Sequence, residues 1–408
     1  MNDIATNIEG GMLIFADDTS LFVTGSDPAQ TTEILNRDLQ KIARWAKEWK
    51  VTFNASKTKN VIFSNKVLNN SPPIIFNDSF VEQVNLHKHL GLYLSSSLDW
   101  SKQISEVCLK ANRKLSVLRS VKLLSRHTLD LLYKLTVRSL IDYALPVYGN
   151  QIKKTELAQL DNLQYRAAKL VTGAYHLTNR EKLNLELGWE SIQQRCDILC
   201  LNIFHKIHFH ETRPLIRSCM PKPDLENKYF IRSKGGYIPF KRLRFKFDQS
   251  FFPHATRLWN NLPNDVKCKN LTDFKEYINL NIKPPIYKHF ARGNKTTNSL
   301  LTKIRVGRSD LKQHQFMIGL VESPVCDCLF REESPSHYFI DCFLYSNERQ
   351  ILFSLVEHYI PKFKNFTKSQ KLDVILRGFE VKNQEYVSLN TKLTFAVQNF
   401  ILETKRFN

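Results

Sequence analysis

The chain has 408 residues, of which 42% are hydrophobic and 11% aromatic, a length and composition suited to two or three globular domains with real cores. Lysine and arginine outnumber aspartate and glutamate by 59 to 39, giving a net charge of +20. That excess goes beyond what solubility needs and favours a polyanionic partner, most simply nucleic acid; the absence of a strongly basic amphipathic helix argues against an anionic membrane surface. No run approaches the roughly 18 apolar residues of a membrane span, and the first residues lack the basic and apolar regions of a signal peptide. The expected location is therefore intracellular, cytoplasm and/or nucleus, and not secreted. Cys108, Cys196, Cys200, Cys219 and Cys268 are scattered, whereas Cys326, Cys328 and Cys342 lie close together beside a histidine. This usage fits a reducing compartment with one metal site rather than a disulfide scaffold.

Met12 to Phe22 reads as a β-hairpin, with strands at Met12–Ala16 and Ser20–Thr24 and an acidic tip. Adjacent carboxylates at Asp17 and Asp18 between apolar flanks lose hydration and repel one another, a cost that divalent cations would offset. Asp-Asp-Thr-Ser also suits an ordinary polar turn, and on the dipeptide alone that is the simpler reading. Asp27-Pro28 has the form of a helix start, and Leu35, Leu39, Ile42, Trp45, Ala46 and Trp49 behind it share one helical face. Strand-like Val51–Phe53 and Val61–Phe63 flank a polar loop. Ile74–Phe76, the turn Asn77-Asp78 and Phe80–Val84 read as a second hairpin, and Leu90–Leu94 as a further strand. The front of the chain is thus α+β.

From Trp100 the periodicity turns helical. Faces are spelled by Ile104 to Leu118, Leu129 to Ile141, Leu157 to Leu170, a short helix from the cap Asn179 to Gly188, and Ile192 to Ile207. Residues 213–300 are instead rich in proline, aromatics and basic residues. Arg232, Lys234, Lys241, Arg242, Arg244, Lys246 and Arg257 interleave with rings such as Tyr237, Phe247 and Phe252. The mixture suits phosphate neutralisation with base stacking, and equally a solvated basic face over a small aromatic core; the residues leave both open. Thr302 to Val321 reads as helix, and the remainder as a short module ending in two weakly patterned helices. The expected organisation is 1–98, 99–212, 213–300 and 301–408.

Two constellations carry chemistry. Asp17 and Asp18 supply the hard oxygen ligands that two Mg²⁺ ions need for phosphoryl transfer, although such a site normally takes a third carboxylate from another strand. Cys326-x-Cys328-x8-His337-x4-Cys342 supplies three thiolates and one imidazole, a closed tetrahedral shell for structural Zn²⁺. The alternative for the second set is a small apolar core that happens to contain three cysteines and a histidine. Histidines 87, 89, 205, 208 and 210 receive no role.

In order along the chain, these motifs resemble the reverse transcriptases of non-LTR retrotransposons (LINE and jockey-like clades). Phe15-Ala16-Asp17-Asp18 resembles their metal-binding Asp-Asp box, and Asn2-Asp3-Ile4 the segment just upstream. Phe53-Asn54-x-x-Lys57-Thr58 resembles the motif that places a lysine near the incoming triphosphate. His89-Leu90-Gly91 resembles the primer-grip hairpin, and Leu135 to Gly149 the thumb. Phe251 to Pro263 and Cys342 to Arg349 resemble segments further downstream. The order and spacing shift the preference for Asp17-Asp18 from turn to metal hairpin.

The resemblance implies a partial palm hairpin and sheet, a helical thumb, a basic linker and a zinc-knuckle-like module. It implies Mg²⁺ at Asp17 and Asp18, a general-acid role for Lys57, primer positioning by Leu90 and Gly91, and RNA template and DNA primer or target as partners. The family's first catalytic aspartate lies many tens of residues before the Asp-Asp box, whereas sixteen residues precede Asp17 here. The expectation is a polymerase fragment inactive alone. The rival is a non-catalytic nucleic-acid-binding or domesticated interaction protein that makes no use of Asp17. The Cys-x-Cys gap is shorter than the family's pattern, which puts the strain of the knuckle in question.

Overall fold

Asp38, on a helix that otherwise turns an apolar stripe inward, is fully buried, and its carboxylate accepts from the backbone N–H groups of Glu9 and Gly10 at 2.9 and 2.7 Å. This anchor ties the entry of the first strand to the first helix. The structure, a computed structural model, describes residues 3–54, 56–64, 72–209, 212, 214–223, 236–241, 245–284, 287–379 and 384–407. It divides into two compact units, residues 1–104 and 105–408.

In the first unit, β1 (Gly11–Phe15) and β2 (Asp18–Phe22) form an antiparallel hairpin with Phe15 opposite Asp18. The strands therefore run one residue earlier at the start, and two earlier at the end, than the sequence pattern suggests. The turn is only Ala16-Asp17, and Asp18 belongs to a strand. The Phe22 ring lies over Gly11, and a Cβ there would meet it at 2.1 Å, so a larger residue would have to displace that ring. Helix α1 (Pro28–Glu48) starts as expected, with the Asp27 carboxylate accepting from Ala29 N–H and proline in the first turn. Its face packs with Ile4, Met12, Ile14, Leu21, Phe53 and Phe76 into a small core.

Short pairs follow: β3 (Lys59–Asn60) parallel to β6 (Glu82–Gln83), and β4 (Ile75–Phe76) antiparallel to β5 (Ser79–Phe80). The turn between β4 and β5 is Asn77-Asp78, both at positive φ, as a two-residue hairpin demands. Val51–Phe53 and Val61–Phe63 are not strands. Phe53 packs without a ladder partner, edge-on to Phe76 at 5.6 Å, whereas Phe63 is exposed. Leu90–Leu94 is not a single strand either. β7 (Leu86–His89) and β8 (Leu92–Ser95) pair around a Leu90-Gly91 turn, with φ of 46° and 81°.

The second unit is helical. It contains most of α2 (Ser101–Ser120), then α3 (Arg126–Tyr133), which runs through a π-turn at Lys134–Arg138 into α4 (Ser139–Asp142). After α5 (Leu145–Tyr148) come α6 (Lys154–Thr172), α7 (Arg180–Leu187) and α8 (Ile192–His208). Tyr133 stacks on Trp189 at 4.1 Å within a core built from α2, α3, α6 and α7. Shorter helices α9 (Pro214–Ser218), α10 (Phe245–Asp248), α11 (Phe251–Asn260), α12 (Asn264–Lys267) and α13 (Leu271–Asn281) follow. Trp259 of α11 and Phe274 of α13 close on Phe204 of α8 and its neighbour His205.

The expected helix from Thr302 to Val321 is two helices, α14 (Lys295–Arg305) and α15 (Lys312–Met317). Gly307, at φ 78°, breaks the run. Three helices rather than two complete the chain: α16 (Ser346–Tyr359), α17 (Lys368–Arg377) and α18 (Gln384–Glu403). They surround a core containing Cys326, Cys328, Cys342, Tyr338, Phe339, Leu352, Val397 and Phe400. Among the described residues no helix is long and apolar enough to cross a membrane.

Candidate active site and metal centre

The hairpin turn puts both carboxylates in solvent: Asp17 and Asp18 are exposed, beside a Phe15 ring that is 66% exposed. Register places Leu13, Phe15, Asp18, Ser20 and Phe22 on one face and Met12, Ile14 and Leu21 on the core face. Ala16 takes φ 53°, which an L-residue with a Cβ adopts at a cost of about 1 kcal/mol. Ala16→Gly is therefore expected to slow amide exchange of residues 11–22, stabilising the hairpin by about 0.5–1 kcal/mol. Unchanged or faster exchange in the variant would refute stored strain at this turn.

The β7–β8 hairpin comes to the same place. His89 Nε2 lies 3.3 Å from Ser20 Oγ, two residues along β2 from Asp18. His87 stacks with His89 at 6.4 Å; burial, then the like charge of His89 and Lys59, holds His87 below its ordinary value, with Asp18 pulling the other way. Leu90 and Gly91, next to His89, are thus the tip of a hairpin that touches the Asp-Asp hairpin. This juxtaposition spans 69 residues and has no local signal beyond the two histidines that sequence reasoning left without a role. Lys57 is exposed on an Asn54 turn, where Asn54 O and Oδ1 both accept from the Lys57 N–H at 3.2 Å. Among the described residues its side chain forms no hydrogen bond or ion pair with either aspartate.

Of the basic set, Arg232, Lys234, Arg242 and Arg244 lie outside the described residues. Lys241 and Lys246 are exposed. Arg257 is committed internally, donating to the Asp248 carboxylate at 2.9 Å and to its carbonyl at 2.8 Å. Tyr237 packs edge-on against Phe204, Phe240 against Phe247, and Phe251 against Phe252.

Cys326, Cys328, His337 and Cys342 converge, their ligand atoms all lying within 4.8 Å of one another and every residue buried. Backbone geometry fixes both ligand pairs. Cys326 N–H donates to Arg331 O at 2.9 Å, and Leu329 N–H to Cys326 O at 2.8 Å, with Leu329 at φ 62°, so a tight turn that ends in a left-handed residue just after Cys328 holds the Cys-x-Cys pair. A single π-turn, His337–Asp341, carries His337 round to Cys342, whose N–H donates to His337 O at 2.7 Å. Cys326 Sγ lies 3.7 Å from Cys342 Sγ, and Cys328 Sγ 3.2 Å from His337 Nε2. Burial holds the His337 imidazole below its ordinary value, favouring the neutral ring that ligates a metal. Three soft thiolates and one imidazole in a closed, buried set fit a four-coordinate Zn²⁺. Among the described residues this is the one group of three or more such side chains arranged to hold a metal; Asp17 and Asp18 belong to none.

The comparisons point to the same family of relatives as the sequence resemblance. The chain is 28% identical over 188 residues to the RNA-directed DNA polymerase from mobile element jockey of Drosophila funebris, an alignment covering 42% of this chain and 19% of that protein. It is 27% identical over 201 residues to the jockey polymerase of Drosophila melanogaster, covering 48% and 22%, and 25% identical over 216 residues to the probable RNA-directed DNA polymerase from transposon X-element of the same species, covering 52% and 22%. The chain thus spans about a fifth of the length of the curated relatives it matches. No family model and no solved structure matches it. Its curated homologues, across about half its length, are RNA-directed DNA polymerases of non-LTR retrotransposons.

Proposed function

We propose that the chain is part of an RNA-directed DNA polymerase of a non-LTR retrotransposon, with Asp17-Asp18 as its metal-binding box and the β7–β8 hairpin as its primer-positioning element. The observation that supports this most is the contact of His89 with Ser20, which brings the two hairpins together. Bound Mg²⁺ would supply charge neutralisation for in-line displacement by a primer 3′-hydroxyl on an incoming nucleotide. Asp17 would ligate the metal, with Asp18 ligating or supporting it electrostatically. The backbone of Leu90 and Gly91 would orient the primer end, and Lys57 would deliver a proton to the leaving pyrophosphate. The Cys326 quartet would hold a structural Zn²⁺ that organises the C-terminal helices.

On its own, this chain is proposed not to polymerise, because Asp17 and Asp18 have no third converging ligand among the described residues. Primer extension by the purified chain, with Mg²⁺ and an RNA template, is expected to give no product. Template-dependent incorporation that Asp17→Asn abolishes would sink that part and strengthen the polymerase part. Mn²⁺ is expected to broaden the amide signals of residues 16–19 in the wild type but not in Asp17→Asn. The isolated pair also favours a second reading, a nucleic-acid-binding protein that makes no use of these carboxylates. No broadening, together with nucleic-acid binding indifferent to Asp17→Asn, selects it.

A further inference from the structure

We propose that the groove between α16 and α18 is a docking surface for an acidic amphipathic helix of a partner protein. The inference does not depend on reading the chain as a polymerase.

The groove follows from how the two helices are held. They run antiparallel. Tyr338 packs against Tyr345, just before α16, and against Phe400, near the end of α18, at 5.2 and 5.3 Å. The Lys392 ammonium of α18 lies 4.6 Å from the centre of the Tyr359 ring, at the end of α16. Leu352 and Val356 of α16 turn into the core with Leu393, Val397 and Phe400 of α18. Apolar residues continue beyond that core onto the surface. Leu355 and Tyr359 line an open cavity of about 260 Å³ together with Leu389, Lys392, Ala396 and Asn399. The last four share one stripe of α18, which Leu402 continues, and Ile351, Leu355 and Tyr359 share one stripe of α16. Ile351, Leu355, Tyr359, Phe395 and Leu402 are 42–65% exposed, so this face is neither core nor polar surface.

Shape selects a helix as the occupant. From Leu389 to Leu402 the stripe runs about 20 Å, three to four helical turns. A small apolar molecule filling the cavity would leave Ile351 and Leu402 in water. A third helix laid along the groove, apolar at i, i+3 or i+4, and i+7, covers the whole stripe.

Charge selects an acidic one. Among the described residues, Lys392 is the one charged group lining the groove. Lys362 and Lys364 are exposed on the 3₁₀ turn Pro361–Asn365, which follows Ile360 at the same end. Phe363, edge-on to Phe353 of α16 at 5.4 Å, fixes that turn. Among the described residues none of these three lysines is in an ion pair. Glu357 lies about 200° round α16 from both Leu355 and Tyr359. At the opposite end, Glu348 and Glu403 are followed in the chain by Arg349 and Lys405, which leaves no excess of acid there. The face is therefore apolar with a positive excess at the Tyr359 end. Carboxylates flanking a partner's apolar stripe complement that excess, whereas a second copy of this face would add to it.

The test selects peptides of about 16 residues, enough for four helical turns, from a random display library on the purified full chain with Zn²⁺ present. The library is first depleted on Leu355→Ser/Phe395→Ser. Enriched sequences should carry the apolar helical stripe with Asp or Glu beside it. A labelled representative should become helical on binding and should bind the double variant about tenfold or more weaker by anisotropy. Lys392→Glu should also weaken it, and should bind better than wild type a version of the peptide whose acids are replaced by lysine. No enrichment over the depleted library overturns the proposal, and so do enriched sequences that are basic or lack the stripe. A wild type that sediments as a dimer, with Leu355→Ser/Phe395→Ser a monomer, assigns the face to a second copy and overturns it too. If the double variant fails to fold, Lys392→Glu with the two peptides carries the test, and equal binding of both peptides to both proteins overturns the groove. Every one of these outcomes leaves the polymerase reading where it stands.

Discussion

Chelation of metal, or Cys328→Ser, is expected to unfold the segment from Lys312 to Tyr345 and to lower the melting temperature of the C-terminal helices sharply. The ligands are part of the core itself. Cys326, Cys328 and Cys342 pack among Tyr338, Phe339, Leu352 and Phe400, and Glu333, between the ligand pairs, is fully buried against Arg406 at 2.5 and 2.6 Å. Few backbone hydrogen bonds hold the loop from Val325 to Glu332, which closes through one isolated bridge between those residues. Without a cation the cluster has two weak sulfur contacts, and His337 Nδ1 is buried with no partner among the described residues. Apparent zinc affinities of roughly 10–16 kcal/mol in zinc-finger peptides match or exceed the whole stability of an ordinary domain, about 5–15 kcal/mol. The metal should therefore decide whether this segment folds. Metal analysis should give about one Zn²⁺ per chain in wild type and none in Cys328→Ser, while Cys268→Ser, at an exposed cysteine, should keep its zinc. Amide exchange of residues 325–342 should rise towards the unprotected rate on chelation. A metal-free protein with wild-type melting and exchange would refute the site and leave the quartet as apolar core.

The quartet was legible because its information is local: four ligands lie within seventeen residues, and their spacing constrains geometry whatever surrounds them. The same holds for α7, where an Asn179 cap and a Gly188 at φ 62° bound the helix as the sequence indicates. The Asp17-Asp18 hairpin was legible in kind but not in register, since the apolar pattern fixes which face is buried, while the turn type, with Ala16 at positive φ, fixes where the strands stop. Val51–Phe53 and Val61–Phe63 failed as strands because β-branched and aromatic residues carry no information about a ladder partner: Phe53 packs against Phe76 without one, and Phe63 is exposed. What the sequence hid lies in long-range polar contacts. The meeting of Ser20 with His89 and the role of Glu186 both depend on residues 60 or more positions away, and nothing nearby distinguishes Glu186 from Glu181 one turn earlier.

Glu186→Gln should destabilise the second unit by about 3–5 kcal/mol, because it strands two buried guanidinium groups. Arg126 Nη1 donates to Glu186 Oε1 at 2.8 Å and Nη2 to the Glu186 carbonyl at 2.7 Å. Arg305 reaches the same carboxylate, Nη2 to Oε1 at 2.5 Å and Nε to Oε2 at 2.9 Å, and Thr302 Oγ1 donates to Oε1 at 2.9 Å. All three charged side chains are at most 6% exposed, so α3, α7 and α14 meet on one carboxylate. Burial alone would raise the carboxyl, but the charges of Arg305 and Arg126 outweigh it and bring Glu186 down to about 2 from 4.5. A depressed folded value means that this stabilisation is fully present above the unfolded value and is lost as pH falls from about 4.5 through about 2. The span corresponds to about 3 kcal/mol. Denaturant titrations from pH 7 to pH 2.5 should show the wild type losing stability over that window, and Glu186→Gln, already destabilised, losing correspondingly less. Replacing the triad together, Glu186→Leu with Arg126→Met and Arg305→Met, should recover most of the loss at neutral pH, because what hurts the single variant is the unpaired charge rather than missing volume. A single variant as stable as wild type, or a triple variant as unstable as the single one, would show that packing rather than this ion network joins the three helices.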